Sequence, residues 1–75
     1  MIVEINDLKR IFSTAFGEEV NITMDSVRGD INLWNSINKL NLVVELEDFY
    51  KVSFTQEEIE KLKSVKYIVE TLQKK

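Results

Sequence analysis

Apolar and polar residues recur with a helical period from Trp34 to Tyr50, over about four turns, and no glycine or proline interrupts them. On a helical wheel, four polar residues spaced three or four apart form a polar strip: Asn38, Asn41, Glu45 and Asp48. Six aliphatic or aromatic residues cover most of the remaining circumference: Leu40, Leu42, Val43, Leu46, Phe49 and Tyr50. Ile37 and Val44 lie together at the edge of the polar strip. A helix this apolar is predicted to be the central one, covered by neighbours on several sides.

The start of this helix carries two good N-cap residues, Asn35 and Ser36, after the loop-like residues 28–32. Free N–H groups and the helix dipole at such a position favour an anion. The Ser36 hydroxyl can therefore cap the helix, or it can carry a phosphate-linked group.

Local signals predict three more helices. The first covers about residues 4–16, and Gly17 ends it as a C-cap glycine would. Thr55 and Glu58 have the spacing of a capping box that opens a short third helix, and Ser64 caps a last one. With the central helix, these elements predict an all-α, four-helix domain.

A long first loop, residues 18–33, joins the first two helices and has no helical period. Val20, Ile22 and Met24 alternate in it, which predicts an extended segment that pins the loop to the core. A loop of about 16 residues is expected to be either functional or packed. Trp34, at its end, is interpreted either as a ring that closes the core or as a partner contact.

The residues that begin the central helix resemble a known motif. Asn35-Ser36-Ile37 and the apolar pattern after it resemble the Asp-Ser-Leu motif and following helix of acyl carrier proteins. The resemblance continues without a gap through residues 54–62 and 64–65, where that family has a short third helix and then a fourth. It implies that Ser36 receives 4′-phosphopantetheine from a phosphopantetheinyl transferase. It also implies that acyl- or aminoacyl-loading and acyl-transfer enzymes are the partners.

A second serine, Ser26, lies in Asp25-Ser26-Val27, which matches the first residue of the family motif more literally. No amphipathic helix begins there, so Ser36 is the preferred attachment site. Asn35 itself departs from the family, whose aspartate contacts the transferase. The amide keeps the hydrogen-bonding capacity and loses the charge.

The polar strip with Ile37 and Val44 is the expected docking face, since related proteins use this helix to meet basic grooves on their enzymes. The predicted partner-recognition residues are Asn35, Ile37, Asn38, Asn41, Val44, Glu45 and Asp48. Neutral asparagines replace acids that are frequent in the family, so docking should depend less on charge and more on the apolar residues. This predicts a specialised member of the family, in fatty acid or secondary metabolite biosynthesis. Bulky Phe49, Tyr50 and Phe54 favour short, polar or aminoacyl cargo over a long acyl chain buried between helices.

Composition narrows the function further. The 75 residues suffice for one small domain, 1–75, and they include neither cysteine nor histidine. The commonest catalytic bases, thiolate nucleophiles and metal ligands are therefore missing, so the chain is not expected to be an enzyme or to bind a metal. The alternative to a modified carrier is an unmodified helical interaction module of the same fold, in which Ser36 only caps the helix.

Charge and hydropathy bear on the partners and location. Residues 18–60 hold ten acids and three bases, whereas residues 61–75 hold five lysines and one glutamate. The acidic middle argues against nucleic acid and favours a basic protein surface, although an ordinary solvated surface explains it equally well. No apolar run reaches the roughly 20 residues that span a bilayer, and no basic leader precedes the first apolar residues. We therefore expect a cytoplasmic monomer.

Overall fold

The computed structural model describes residues 2–75, and these residues fold as an all-α bundle of four helices, as predicted. A long first loop containing one 3-10 turn, Arg28–Asp30, separates the first two helices, and the third helix is short. The helices are α1 Ile5–Phe16, α2 Ser36–Tyr50, α3 Gln56–Glu60 and α4 Val65–Gln73. None of the described helices has the length and apolar character needed to cross a membrane.

The predicted helix ends are confirmed by their hydrogen bonds. Gly17 closes α1 in the left-handed conformation, at φ 78°, where a side chain would be strained. Thr55 and Glu58 form the complete capping box at the start of α3. The Ser64 hydroxyl accepts the N–H of Tyr67 and caps α4. These local devices explain why the sequence pattern located the helices correctly.

The core joins one face of each of α1, α2 and α4 with the end of the first loop. Trp34 is only 2% exposed, and its ring packs edge-on against Phe12 with 5.1 Å between the ring centroids. Phe16 completes the aromatic cluster. Of the two interpretations of Trp34, the structural one is confirmed, because the ring closes the core beside the start of α2.

The first loop is packed onto the core for part of its length. Val20 and Ile22 are buried as predicted, and the backbone N–H of Val20 also donates to the Ser13 hydroxyl at 2.9 Å. Met24 is 44% exposed, so its predicted pinning role is wrong. The chain turns at residues 23–26, and this turn ends the alternation that would have directed Met24 inward.

The later part of the first loop is tied to the α3–α4 connection by a short antiparallel bridge between Val27 and Ser64. The N–H of Arg28 donates to the Lys63 carbonyl at 2.7 Å, and the N–H of Val65 donates to the Ser26 carbonyl at 3.0 Å. The sequence pattern did not predict this contact. It holds the backbone of Arg28 in a defined position near the start of α2.

The predicted covering of α2 on several sides is wrong. Only Leu42, Val43 and Leu46 are buried, whereas Leu40 and Phe49 are 57% and 49% exposed. Helix α2 packs chiefly against α1, and a chain of this size has too few other elements to surround a 15-residue helix. Leu40 lies with Ile37 and Val44 on a side of α2 that contacts solvent, whereas Phe49 lies on the opposite side, near the end of the helix.

Candidate functional site

Ser36 is the first residue of α2, and its side chain is exposed. The N-cap is Asn35, whose side-chain oxygen accepts the N–H of Asn38 at 2.9 Å. Because Asn35 does the capping, the Ser36 hydroxyl is not needed to satisfy the helix end. The first N–H groups of an α-helix have no partners within the helix, and with the dipole they favour an anion at this position.

A guanidinium group lies beside this hydroxyl. The Nη2 atom of Arg28 is 3.4 Å from Ser36 Oγ, and its Nε donates to the Trp34 carbonyl at 2.9 Å. Sequence reasoning missed Arg28, although it is one of only three basic residues within residues 18–60. The spacing along the chain gives no sign of the contact, since the first loop must fold back to bring Arg28 to the helix start.

An open groove runs next to this point, between the first loop and the α3–α4 connection. Its lining includes Val27, Arg28, Ile31, Trp34, Asn35 and Lys63. Two of these side chains are cationic and none of those named is acidic. The groove thus combines apolar walls with positive charge. The indole N–H of Trp34 has no hydrogen-bond partner among the described residues, but it is buried and adds no accessible donor to the groove.

Three apolar side chains on α2 form an exposed apolar patch that begins one residue after Ser36. Ile37 is 73% exposed and Val44 is 62% exposed, and Leu40 lies between them at the i, i+3, i+7 spacing. Ile37 and Val44 lie on the solvent side as the helical wheel predicted. Leu40 was assigned to the covered side, which is wrong, because α1 packs against the opposite face of the helix.

The four residues of the polar strip differ in how far they are exposed. Asn38 is half-buried, and its side-chain amide donates to the Leu33 carbonyl at 2.7 Å, which holds the end of the first loop against α2. Asn41 and Asp48 are exposed, and Asp48 lies 3.8 Å from the ammonium group of Lys51. Glu45 is half-buried. The structure therefore places Asn41, Glu45 and Asp48 beside the apolar patch, whereas Asn38 makes a hydrogen bond to the first loop.

Ser26 has different surroundings from Ser36. Its hydroxyl accepts the backbone N–H of Thr23 at 2.9 Å and stabilises the turn in the first loop. Its carbonyl accepts a hydrogen bond from the N–H of Val65, and no α-helix begins at this residue. The anion-favouring geometry found at Ser36 is absent there.

Comparison with known proteins identifies the kind of protein that this fold and site represent. No family model matches the chain, and no curated protein matches it. Among solved structures, it is similar to holo acyl carrier protein from Geobacter metallireducens, determined in solution by NMR. The TM-score is 0.82 and the sequence identity is 33%, and the match covers 95% of this chain and 83% of that one. The chain belongs to the acyl carrier protein family, and its general role is that of a carrier protein.

Proposed function

We propose that this protein carries acyl or aminoacyl intermediates as thioesters on a 4′-phosphopantetheine arm attached to Ser36. The observation that carries the proposal is the exposed Ser36 hydroxyl at the start of α2, which Asn35 leaves free by capping the helix itself. The related Geobacter metallireducens protein is described as the holo form. That likeness supports a modified carrier over an unmodified interaction module.

The residues around Ser36 suit a phosphate-linked group. Arg28 supplies a guanidinium, the first turn of α2 supplies unpaired N–H groups, and the groove supplies apolar walls and a second cation, Lys63. When bound, the arm would provide the thiol for thioester linkage, which this chain lacks because it has no cysteine. The chain's own part is to anchor, orient and present that group.

Attachment requires a phosphopantetheinyl transferase and coenzyme A. Ser36 Oγ forms a bond to phosphorus while the pyrophosphate bond of coenzyme A breaks. The nucleotide portion leaves, and the transferase takes the hydroxyl proton. The chain needs no catalytic group of its own for this step, only an accessible hydroxyl.

Docking to loading and transfer enzymes is assigned to the exposed apolar patch of Ile37, Leu40 and Val44, with Asn41, Glu45 and Asp48 alongside. The patch adjoins Ser36, so a partner that covers it also meets the arm. The patch is apolar and Asn41 beside it is neutral, which favours partners recognised by apolar contact and is consistent with a specialised member of the family.

We also propose short, polar or aminoacyl cargo. The supporting observation is that Phe54 and Leu46 are buried in a core continuous with the aromatic residues of α1. Phe49, which the sequence argument also used, is half exposed and does not fill the core, so that part of the volume argument is wrong.

The attachment is tested by incubating the protein with a broad-specificity transferase and coenzyme A. Mass spectrometry should show the addition of one phosphopantetheine group, and Ser36→Ala should abolish it. Ser26→Ala is the matched control and should be modified like the wild type. Addition that persists in Ser36→Ala but is lost in Ser26→Ala would contradict the proposal. The absence of any addition, with native transferases included, would instead favour the unmodified interaction module.

A further inference from the structure

We propose that Arg28 is the internal counter-ion for a phosphate group on Ser36, holding it at the mouth of the groove. The inference rests on the proposed function for the origin of the phosphate, and it adds a positioning residue from the first loop to the site. Four observations on this chain support it.

The first observation is that the guanidinium is already fixed in place. Its Nε donates to the Trp34 carbonyl at 2.9 Å, and the Arg28 backbone N–H donates to the Lys63 carbonyl at 2.7 Å. Trp34 is itself buried in the aromatic cluster of the core. Arg28 therefore loses less conformational freedom on meeting a ligand than a free surface arginine would.

The second observation is distance. Nη2 lies 3.4 Å from Ser36 Oγ, and this oxygen is the atom that would bond to phosphorus. The other phosphate oxygens would lie one bond beyond phosphorus, within reach of the same guanidinium group. Arginine and phosphate form charge-assisted hydrogen bonds that are about twice as strong as neutral ones.

The third observation is that no carboxylate competes for Arg28. Among residues 2–75 it makes no ion pair, whereas Arg10, the other arginine, is paired with Asp7. Asn35 lines the same groove and is neutral. An aspartate there would add a negative charge to the groove lining, so the asparagine leaves Arg28 available to an anion.

The fourth observation is the charge of the groove itself. Lys63 lines it together with Arg28, in a protein with a net charge of −3. A locally positive groove on an acidic chain concentrates anions at that point. The α2 N-terminus adds its own positive potential next to Ser36.

The test uses the whole 75-residue chain made by chemical synthesis with a phosphate on Ser36, so no transferase is needed. The second pKa of a serine phosphate is ordinarily about 6, and phosphorus NMR follows it during a pH titration. A nearby cation favours the dianion and lowers this pKa. We expect the wild-type value to lie at least about half a unit below that of Arg28→Gln, which is roughly a threefold change in proton affinity.

Control variants distinguish a direct contact between Arg28 and the phosphate from the effect of the protein's overall charge. Arg28→Gln keeps a donor for the Trp34 carbonyl and removes the charge, whereas Arg28→Lys keeps the charge and should retain part of the shift. Arg10→Met removes an equal charge from α1 and should leave the phosphate pKa unchanged. In the wild type, the Nε–H resonance of Arg28 should move with the phosphate titration while that of Arg10 does not. That signal tests the contact even if Arg28→Gln fails to fold.

Equal phosphate pKa values in wild type and Arg28→Gln, or an Arg28 resonance indifferent to the titration, would overturn the inference. An equal shift in Arg10→Met would do so too, because it would show a general charge effect. The outcome is separate from that of the proposed function. If a transferase modifies Ser36 but the phosphate pKa does not depend on Arg28, the carrier proposal stands and this inference fails. If the phosphate pKa depends on Arg28 but no transferase modifies Ser36, the phosphate site stands and the carrier proposal fails.

Discussion

The two faces of α2 carry similar side chains in opposite surroundings. Leu42, Val43 and Leu46 are buried against the rest of the bundle, whereas the apolar patch of Ile37, Leu40 and Val44 is open to solvent. Residue type does not distinguish the two sets, since each holds leucine and valine. Position relative to the rest of the bundle does, because the first set packs into the core and α2 meets chiefly α1. Apolar residues on the second face contribute little to folding and are available for contact with a partner.

The comparison also explains how one helix of a short chain can serve both folding stability and partner binding. A domain of this size buries only about 60% of its unfolded surface, so each buried residue of α2 matters to stability. The exposed face is free of that constraint. Under the proposed function, the patch beside Ser36 serves the partner, and the buried face keeps the helix start in position.

The sharpest test of the comparison is the same substitution on each face. Leu46→Ala removes a fully buried side chain and should lower the free energy of unfolding by about 2–5 kcal/mol. Leu40→Ala, on the exposed face, should change it by no more than about 0.5 kcal/mol, because alanine is also a better helix former. Urea denaturation followed by circular dichroism measures both. Equal losses in the two variants would mean that the patch is covered in solution.

The sequence predicted the fold because its helices are bounded by local signals. Gly17, the Thr55–Glu58 capping box and Ser64 act within a few residues, so their effects can be read from the chain. The choice between Asn35 and Ser36 as the N-cap was left open, since both residue types cap helices equally well. Backbone geometry decides it in favour of Asn35.

The candidate site was predictable only in part. The pattern placed Ser36 at the start of α2 and Ile37 and Val44 on its solvent side, but it assigned Leu40 to the wrong face. Which side of an apolar helix is covered depends on the direction of α1, and that is a tertiary fact. Arg28 was missed for the same reason, because the Val27–Ser64 bridge and the fold of the first loop bring it to Ser36. Attachment at Ser36 stays a prediction, and so does partner recognition by the seven residues predicted for it: Asn35, Ile37, Asn38, Asn41, Val44, Glu45 and Asp48.

A second test asks whether the exposed face binds partners. Val44→Arg places a bulky charge in the apolar patch and should weaken binding to the cognate enzyme by about tenfold, or roughly 1.4 kcal/mol. Helical circular dichroism should stay near wild type, because Val44 is exposed. Gln73→Arg adds the same charge to an exposed position of α4 and is the control. The measurement is the dissociation constant at low and high salt.

Only a shallow salt dependence is expected, since the patch is apolar and few charges lie beside it. A steep dependence, combined with wild-type binding by Val44→Arg, would assign docking to another, charged surface. The exposed face of α2 would then lack the function proposed for it.

The smallest expected effect concerns Asn35, where the exposed face meets the helix start. The Asp-Ser-Leu motif that this site resembles has a carboxylate at this position, and a charge-assisted hydrogen bond to the transferase is stronger than a neutral one by about 1 kcal/mol. Asn35→Asp should therefore speed modification of Ser36 roughly fivefold. The melting temperature should barely change, because aspartate and asparagine cap a helix about equally well. A time course of holo-protein formation at equal enzyme and coenzyme A measures the rate.

Arg28 sharpens this last expectation. A carboxylate at position 35 would line the same groove as the guanidinium, and the two would attract each other. Arg28 would partly neutralise the carboxylate and weaken its hydrogen bond to the transferase. The increase in modification rate from Asn35→Asp should therefore be larger when Arg28→Gln is also present. The double variant, compared with each single one, gives the coupling. If Asn35→Asp is no faster in either background, the missing carboxylate is no handicap, and the natural transferase of this protein must be fitted to the amide.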